Sequence, residues 1–335
     1  MKTVSKTENF LGLDDEWADI ERAKVVIFPA PYEFTSSYVK GAKNAPQAIL
    51  SASQYVELYD EELSDEPYKW TGGIATLFPM KFDENCKDAT AVHEISKQVQ
   101  SLLDAGKFIV TLGGEHTIAV GAVKAHSARY ENLSVLQLDA HADLRQQYEE
   151  NPYSHASTMA RIYEFNKNIV PVGIRSLCVE EKDFIQQNEI KTFYAYKMKE
   201  GFYEVGRRKA EGGSKEEVFL PPSDFPLPTS SAPTWHDAVI NQLTEFVYLT
   251  LDCDYFDPSV IPSLGTPEPG GFGWDETLRF LKKLTASKKI VGFDVSEISP
   301  ANFFSKKSLG LVYSEFTIAK LIYKLIGYIF RFPNL

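Results

Sequence analysis

The sequence predicts an α/β chain in three layers, with helices on both faces of a doubly wound, mostly parallel sheet. Two observations carry this. Six short runs are nearly continuous in apolar and β-branched residues, which is how strands covered on both faces read. Amphipathic helical stretches lie between several of them, and the alternation runs from one end of the chain to the other, as a parallel sheet with crossover helices requires.

In order, the runs are Lys24–Pro29, Phe108–Leu112, Leu133–Leu138, Ile169–Val172, Phe246–Leu251 and Ile290–Val295, each bounded by turn residues. The clearest helix is Ala89–Ala105, where Val92, Ile95, Val99 and Leu102 recur at helical spacing until Gly106 stops it. The alternation argues for a single domain over residues 1–335. Glu200–Pro233 breaks the pattern with Gly212-Gly213, Pro221-Pro222, Pro226 and Pro228. We read this stretch, about 200–233, as a surface insertion; a linker between two domains is the other reading.

A net charge of −11 argues against a nucleic-acid partner and is compatible with a cationic substrate. Residues Met1 to Asp19 lack the apolar core of a signal peptide. The most apolar stretch, Phe316 to Phe330, is interrupted by Lys320 and Lys324 and is too short to span a bilayer. Cys86, Cys178 and Cys253 form no CxxC pair, which suits a reducing compartment. A cytoplasmic protein that neither enters a membrane nor binds nucleic acid is expected.

In open α/β sheets chemistry gathers beyond the carboxyl ends of the strands. There the sequence places Gly113-Gly114-Glu115-His116-Thr117, then Asp139-Ala140-His141-Ala142-Asp143, then Asp252-Cys253-Asp254 with Asp257-Pro258. In extended chain Asp139, His141 and Asp143 project to one side, as do Asp252 and Asp254, leaving Cys253 to the core. Four carboxylates massed in a low dielectric repel one another unless a cation lies between them. Four Asp and two His exceed the needs of one site, so two divalent ions fit better; oxygen and imidazole donors admit Mn²⁺, Fe²⁺, Co²⁺, Ni²⁺ or Zn²⁺. Any one of these motifs alone is more often a cap, a turn or an ion pair, but the three together at strand ends point to metal. His93, His126 and His236 are expected to serve packing or the surface, and Arg175 either positions loops or forms a structural ion pair.

These motifs resemble the signatures of the ureohydrolases, the arginase–agmatinase family. The resemblance extends from Pro31-Tyr32-Glu33 through Thr266-Pro267-Glu268-Pro269-Gly270-Gly271 to Asp294-Val295-Ser296-Glu297-Ile298-Ser299-Pro300. It implies an arginase-like fold and two ions, most often manganese. His116, Asp139, Asp143 and Asp252 would hold one ion, and Asp139, His141, Asp252 and Asp254 the other, with Asp139 and Asp252 bridging. It also implies that Asp143 orients the attacking hydroxide, Glu297 binds the guanidinium, and His155 protonates the departing amine. Trimers or hexamers are the usual assemblies of such relatives, so a homo-oligomer is expected.

The segment Leu144 to Glu150 is unlike the arginase loop that reads an α-carboxylate and looks like the bacterial agmatinase branch. Agmatine is therefore the expected substrate, giving putrescine and urea, with Glu149 or Glu150 facing its ammonium. Arg145 keeps a carboxylate-bearing substrate such as guanidinobutyrate or formiminoglutamate in view, and arginine and guanidinopropionate are the other guanidino alternatives. From a different class, a silent metal-binding assembly or sensing partner is the competing reading, against which the full ligand set argues.

Overall fold

The computed structural model describes residues 2–200, 234–300 and 313–331. Eight strands form one sheet, all neighbours parallel, in the order β2-β1-β3-β8-β7-β4-β5-β6. They are β1 Val25–Ala30, β2 Ile74–Thr76, β3 Phe108–Gly113, β4 Ser134–Leu138, β5 Ile169–Ile174, β6 Phe193–Tyr194, β7 Phe246–Asp252 and β8 Lys289–Ser296. Six match the expected runs. The short edge strands β2 and β6 carry too little pattern to be read from sequence.

Successive side chains of each strand serve opposite faces. Val25, Ile27, Val110 and Leu112 enter one core with the helices Ala45–Ser53, Trp274–Ser287 and Tyr313–Arg331. Val26, Phe28 and Ile109 enter the other with Asp88–Asp104, Ile118–Arg129, Thr158–Phe165 and Val179–Gln187. Three layers result, as expected. The helix Asp88–Asp104 buries Val92, Ile95, Val99 and Leu102, each contributing on the order of 1.5–3 kcal/mol.

The chain first lays down β1, β2 and β3, then β4, β5 and β6, and last inserts β8 and β7 between β3 and β4. Register then aligns four strand ends: Leu112 is level with Val295, Val295 with Leu251, and Leu251 with Leu138. The residues that follow these four leave the sheet side by side. The expected surface insertion lies, apart from Glu200, outside the described residues. Among the described residues no helix is long and apolar enough to cross a membrane.

Candidate active site

Gly114 has no room for a side chain, because a Cβ there would stand 2.1 Å from the Tyr32 carbonyl oxygen. The chain therefore folds tightly beneath the Tyr32 segment and delivers His116, fully buried, to the edge of the sheet. His116 Nδ1 lies 2.9 Å from Asp143 Oδ2, 3.3 Å from Asp139 Oδ2 and 3.6 Å from Asp252 Oδ2. On the other side of Asp139, His141 Nδ1 lies 2.7 Å from Asp254 Oδ2 and 3.8 Å from Asp139 Oδ1. His116–Asp139–Asp252 and Asp139–His141–Asp254 each place their donor atoms within 4.8 Å of one another, with Asp139 shared.

The six expected ligands thus converge, but not by strand alternation alone. Asp143 has a left-handed backbone, φ 52°, which turns its carboxylate back toward His116. Asp254 sits in the 3₁₀ turn Cys253–Tyr255, capped by Asp252 Oδ1 accepting from its N–H at 3.0 Å. The extended reading of both motifs is corrected accordingly, while Cys253 is buried as expected. Gln137 Nε2 donates to Asp139 Oδ2 at 2.8 Å and to the His141 carbonyl at 3.0 Å, holding this segment in shape.

Glu297 has φ 66° and is 6% exposed. One carboxylate oxygen accepts from the His116 N–H at 2.7 Å and lies 3.7 Å from His155 Nδ1. The segment preceding His155 is held by Thr35, whose hydroxyl accepts from the His155 N–H at 3.0 Å and donates to the buried Glu115 at 2.8 Å. Glu115 also accepts from the N–H groups of Phe34 and Thr35, so the glutamate of the GGEH motif anchors a loop and binds no candidate ion ligand. Of these, His141, Asp143, His155, Asp252, Asp254 and Glu297 line a cleft of about 300 Å³, with Ser37, Arg145, Tyr148, Ser176, Cys178 and Thr266.

The electrostatics are those of an anionic cluster offset by imidazoles alone. Burial, then the charge of Asp254, pushes the carboxyls of Asp139 and Asp252 above the usual range. Burial acts upward on Asp254 too, but the His141 imidazole outweighs it and holds that carboxyl low. Burial opposes charging of His155, yet Glu297 outweighs it and lifts the imidazole to about 9. Among the described residues no Lys or Arg pairs with Asp139, Asp143, Asp252 or Asp254; only imidazoles do. A donor set of buried carboxylates and imidazoles without a fixed countercharge fits divalent cations.

The other expectations resolve one by one. Glu149 and Glu150 are exposed and do not line the cleft. Arg145 does line it, with its guanidinium over the Tyr148 ring at 5.3 Å and 3.9 Å from Glu181. Arg175 has no ion pair among the described residues and clamps loops by their carbonyls. His126 is core, His93 exposed and His236 half-buried. Thr250 and Gln137 support the site from within strands, where a polar residue carries no distinguishing pattern, and nothing in the sequence separates Glu115, which anchors a loop, from a ligand.

A doubly wound parallel sheet with carboxylates and imidazoles massed at the carboxyl ends of its central strands is an architecture suited to chemistry assisted by divalent cations. Comparison with known proteins is specific. The model of the arginase family matches residues 23–218 and 231–326. The N(1)-aminopropylagmatine ureohydrolase of Synechocystis sp. is 37% identical over 312 residues, covering 91% of this chain and 89% of that protein. The protein of the same name from Thermococcus kodakarensis is 30% identical over 330 residues, covering 97% and 98%. The crystal structure of the agmatine ureohydrolase of Thermoplasma volcanium superposes with a TM-score of 0.75 at 26% identity, covering 99% of this chain and 96% of that one. The chain belongs to the arginase family, and it is a ureohydrolase.

Proposed function

We propose that this enzyme removes the amidino group of a linear guanidino-amine as urea, with N(1)-aminopropylagmatine as its preferred substrate and agmatine, one aminopropyl group shorter, as the second reading. The observation that carries the guanidino chemistry is Glu297, a buried carboxylate at the cleft floor between the His116 segment and His155. A planar cation is held best by a fixed carboxylate accepting two N–H bonds. The longer substrate is supported by the shared name of relatives 31–37% identical, and agmatine by that of agmatinases at 30% identity.

In this reading His116, Asp139, Asp143 and Asp252 would hold one divalent ion, and Asp139, His141, Asp252 and Asp254 the other, with manganese as the proposed metal. When bound, the two cations supply the positive charge that makes a water acidic enough to ionise near neutral pH. Asp143, turned inward by its left-handed backbone, presents its carboxylate to the cleft, where it would accept a hydrogen bond from the attacking water and orient it. Glu297 fixes the guanidinium plane. His155, whose imidazole the neighbouring Glu297 lifts to about 9 in the metal-free protein, would donate a proton to the departing amine.

The test is urea release by manganese-loaded protein against N(1)-aminopropylagmatine, agmatine, arginine, guanidinobutyrate, guanidinopropionate and formiminoglutamate. The aminopropyl compound should give the highest kcat/KM. Preference for agmatine would establish the second reading, and preference for a carboxylate-bearing compound would overturn both.

A further inference from the structure

Arg175 lies just past β5, and among the described residues it has no carboxylate partner. Its guanidinium donates instead to backbone carbonyls: Nε to Pro269 at 3.1 Å, Nη1 to Gly173 at 3.2 Å, and Nη2 to Asp254 at 2.5 Å, Glu268 at 2.8 Å and Phe256 at 3.4 Å. Its own backbone N–H donates to the Ala140 carbonyl at 2.8 Å. One residue thereby ties the Asp139–His141 segment, the turn Cys253–Tyr255 and the loop 266–271 together.

The chemistry of the side chain matters. A planar fork with five donors spans carbonyls on two segments, whereas a lysine ammonium offers three donors at a single point. A half-buried cation facing only carbonyl dipoles lacks an ion pair to offset its desolvation, so geometry rather than charge pairing accounts for its place. The same loop is tied from another side by Asp257, whose carboxylate accepts from the N–H groups of Gly270 at 3.0 Å and Gly271 at 3.1 Å. The loop carries Glu268, with Oε1 3.8 Å from His141 Nε2. Every segment that Arg175 holds borders the His141–Asp254 half of the cluster, and none of its hydrogen bonds reaches His116, Asp143 or Asp252.

We propose that Arg175 is a positioning residue for one half of the candidate metal centre, keeping Asp254 and His141 at the spacing at which they take a divalent cation. This inference rests on the metal reading above. The test titrates Mn²⁺ calorimetrically into metal-stripped full-length wild type, Arg175→Lys and Arg175→Met, with circular dichroism to verify folding.

Wild type should bind two equivalents. Arg175→Met should weaken one by about tenfold or more, the size usual for lost support of a metal ligand, and leave the other nearly unchanged, with Arg175→Lys intermediate. Equal weakening of both, or of neither, overturns the proposal. Should Arg175→Met not fold, selective weakening of one equivalent in Arg175→Lys supports the proposal, and its absence overturns it. A wild type that takes up no ion defeats the metal reading, and this inference with it; two normal equivalents in every variant defeat this inference alone.

Discussion

His116 Nε2 stands 2.7 Å from the Thr250 hydroxyl, which donates in turn to Asp294 Oδ1 at 2.9 Å. Because the hydroxyl proton is committed to Asp294, Thr250 accepts from His116 Nε2–H, and Nδ1 faces Asp139, Asp143 and Asp252. Thr250→Val should free the ring to flip and lower Mn²⁺ affinity by about 10–100-fold, while Thr250→Ser should retain most of it. Calorimetric titration decides, and an unaltered valine variant would remove the role.

Asp139 and Asp252 retain their protons to higher pH in the metal-free fold than in the unfolded chain, through burial first and Asp254 next. Between the unfolded carboxylate range near 4 and neutrality these two groups therefore bind more protons in the fold than in the unfolded chain, and the stability they contribute falls as pH rises. Metal-free protein should melt at lower temperature at pH 7.5 than at pH 5.5 on this account, and manganese should reverse the loss. Asp252→Asn should raise the metal-free melting temperature at pH 7.5 while abolishing urea release. A metal-free variant less stable than wild type would contradict the repulsion argument.

His126 is fully buried against Tyr248, with Nδ1 2.8 Å from the Ala122 carbonyl, and burial pulls its pKa down to about 4. Unfolded, it takes a proton near 6.5, so stability present above that pH is lost as pH falls toward 4. From pH 6.5 to 5 the loss is about 2 kcal/mol. His126→Leu should therefore differ from wild type less at pH 5 than at pH 7, by that amount, in paired urea denaturations. A pH-independent difference would be the contrary result.

Gly114→Ala places a methyl group against the Tyr32 carbonyl. Backbone rather than a flexible side chain must yield, so a destabilisation of about 1–3 kcal/mol or more is expected. His116 follows two residues later, and metal affinity should fall with stability. Thermal melts and manganese titration of the same preparation test both.

Replacing His155 by Asn should lower kcat and leave manganese binding intact, since His155 contacts Glu297 rather than the clustered aspartates. Unchanged turnover at saturating substrate would exclude it as the proton donor to the amine.

Much of this was legible in one dimension because two signals are local. A strand covered on both faces must be apolar throughout, so Val25–Ala30, Phe108–Gly113 and Phe246–Asp252 announce themselves. Carboxylates and histidines following such strands are conspicuous because charge at the end of a buried segment needs a reason. The edge strands β2 and β6 were not legible, since three and two residues hold no periodicity.

What the sequence determined by itself was the layered class, the ligand types and the strand ends that bear them, because burial and valence are properties of individual residues and their immediate neighbours. What only the tertiary structure decided was which ends meet. The register that levels Leu112, Val295, Leu251 and Leu138, the left-handed turn of Asp143 and the carbonyl clamp of Arg175 all join residues far apart in the chain. Such pairings are chosen by packing and hydrogen bonding over the whole sheet, and no local pattern encodes them.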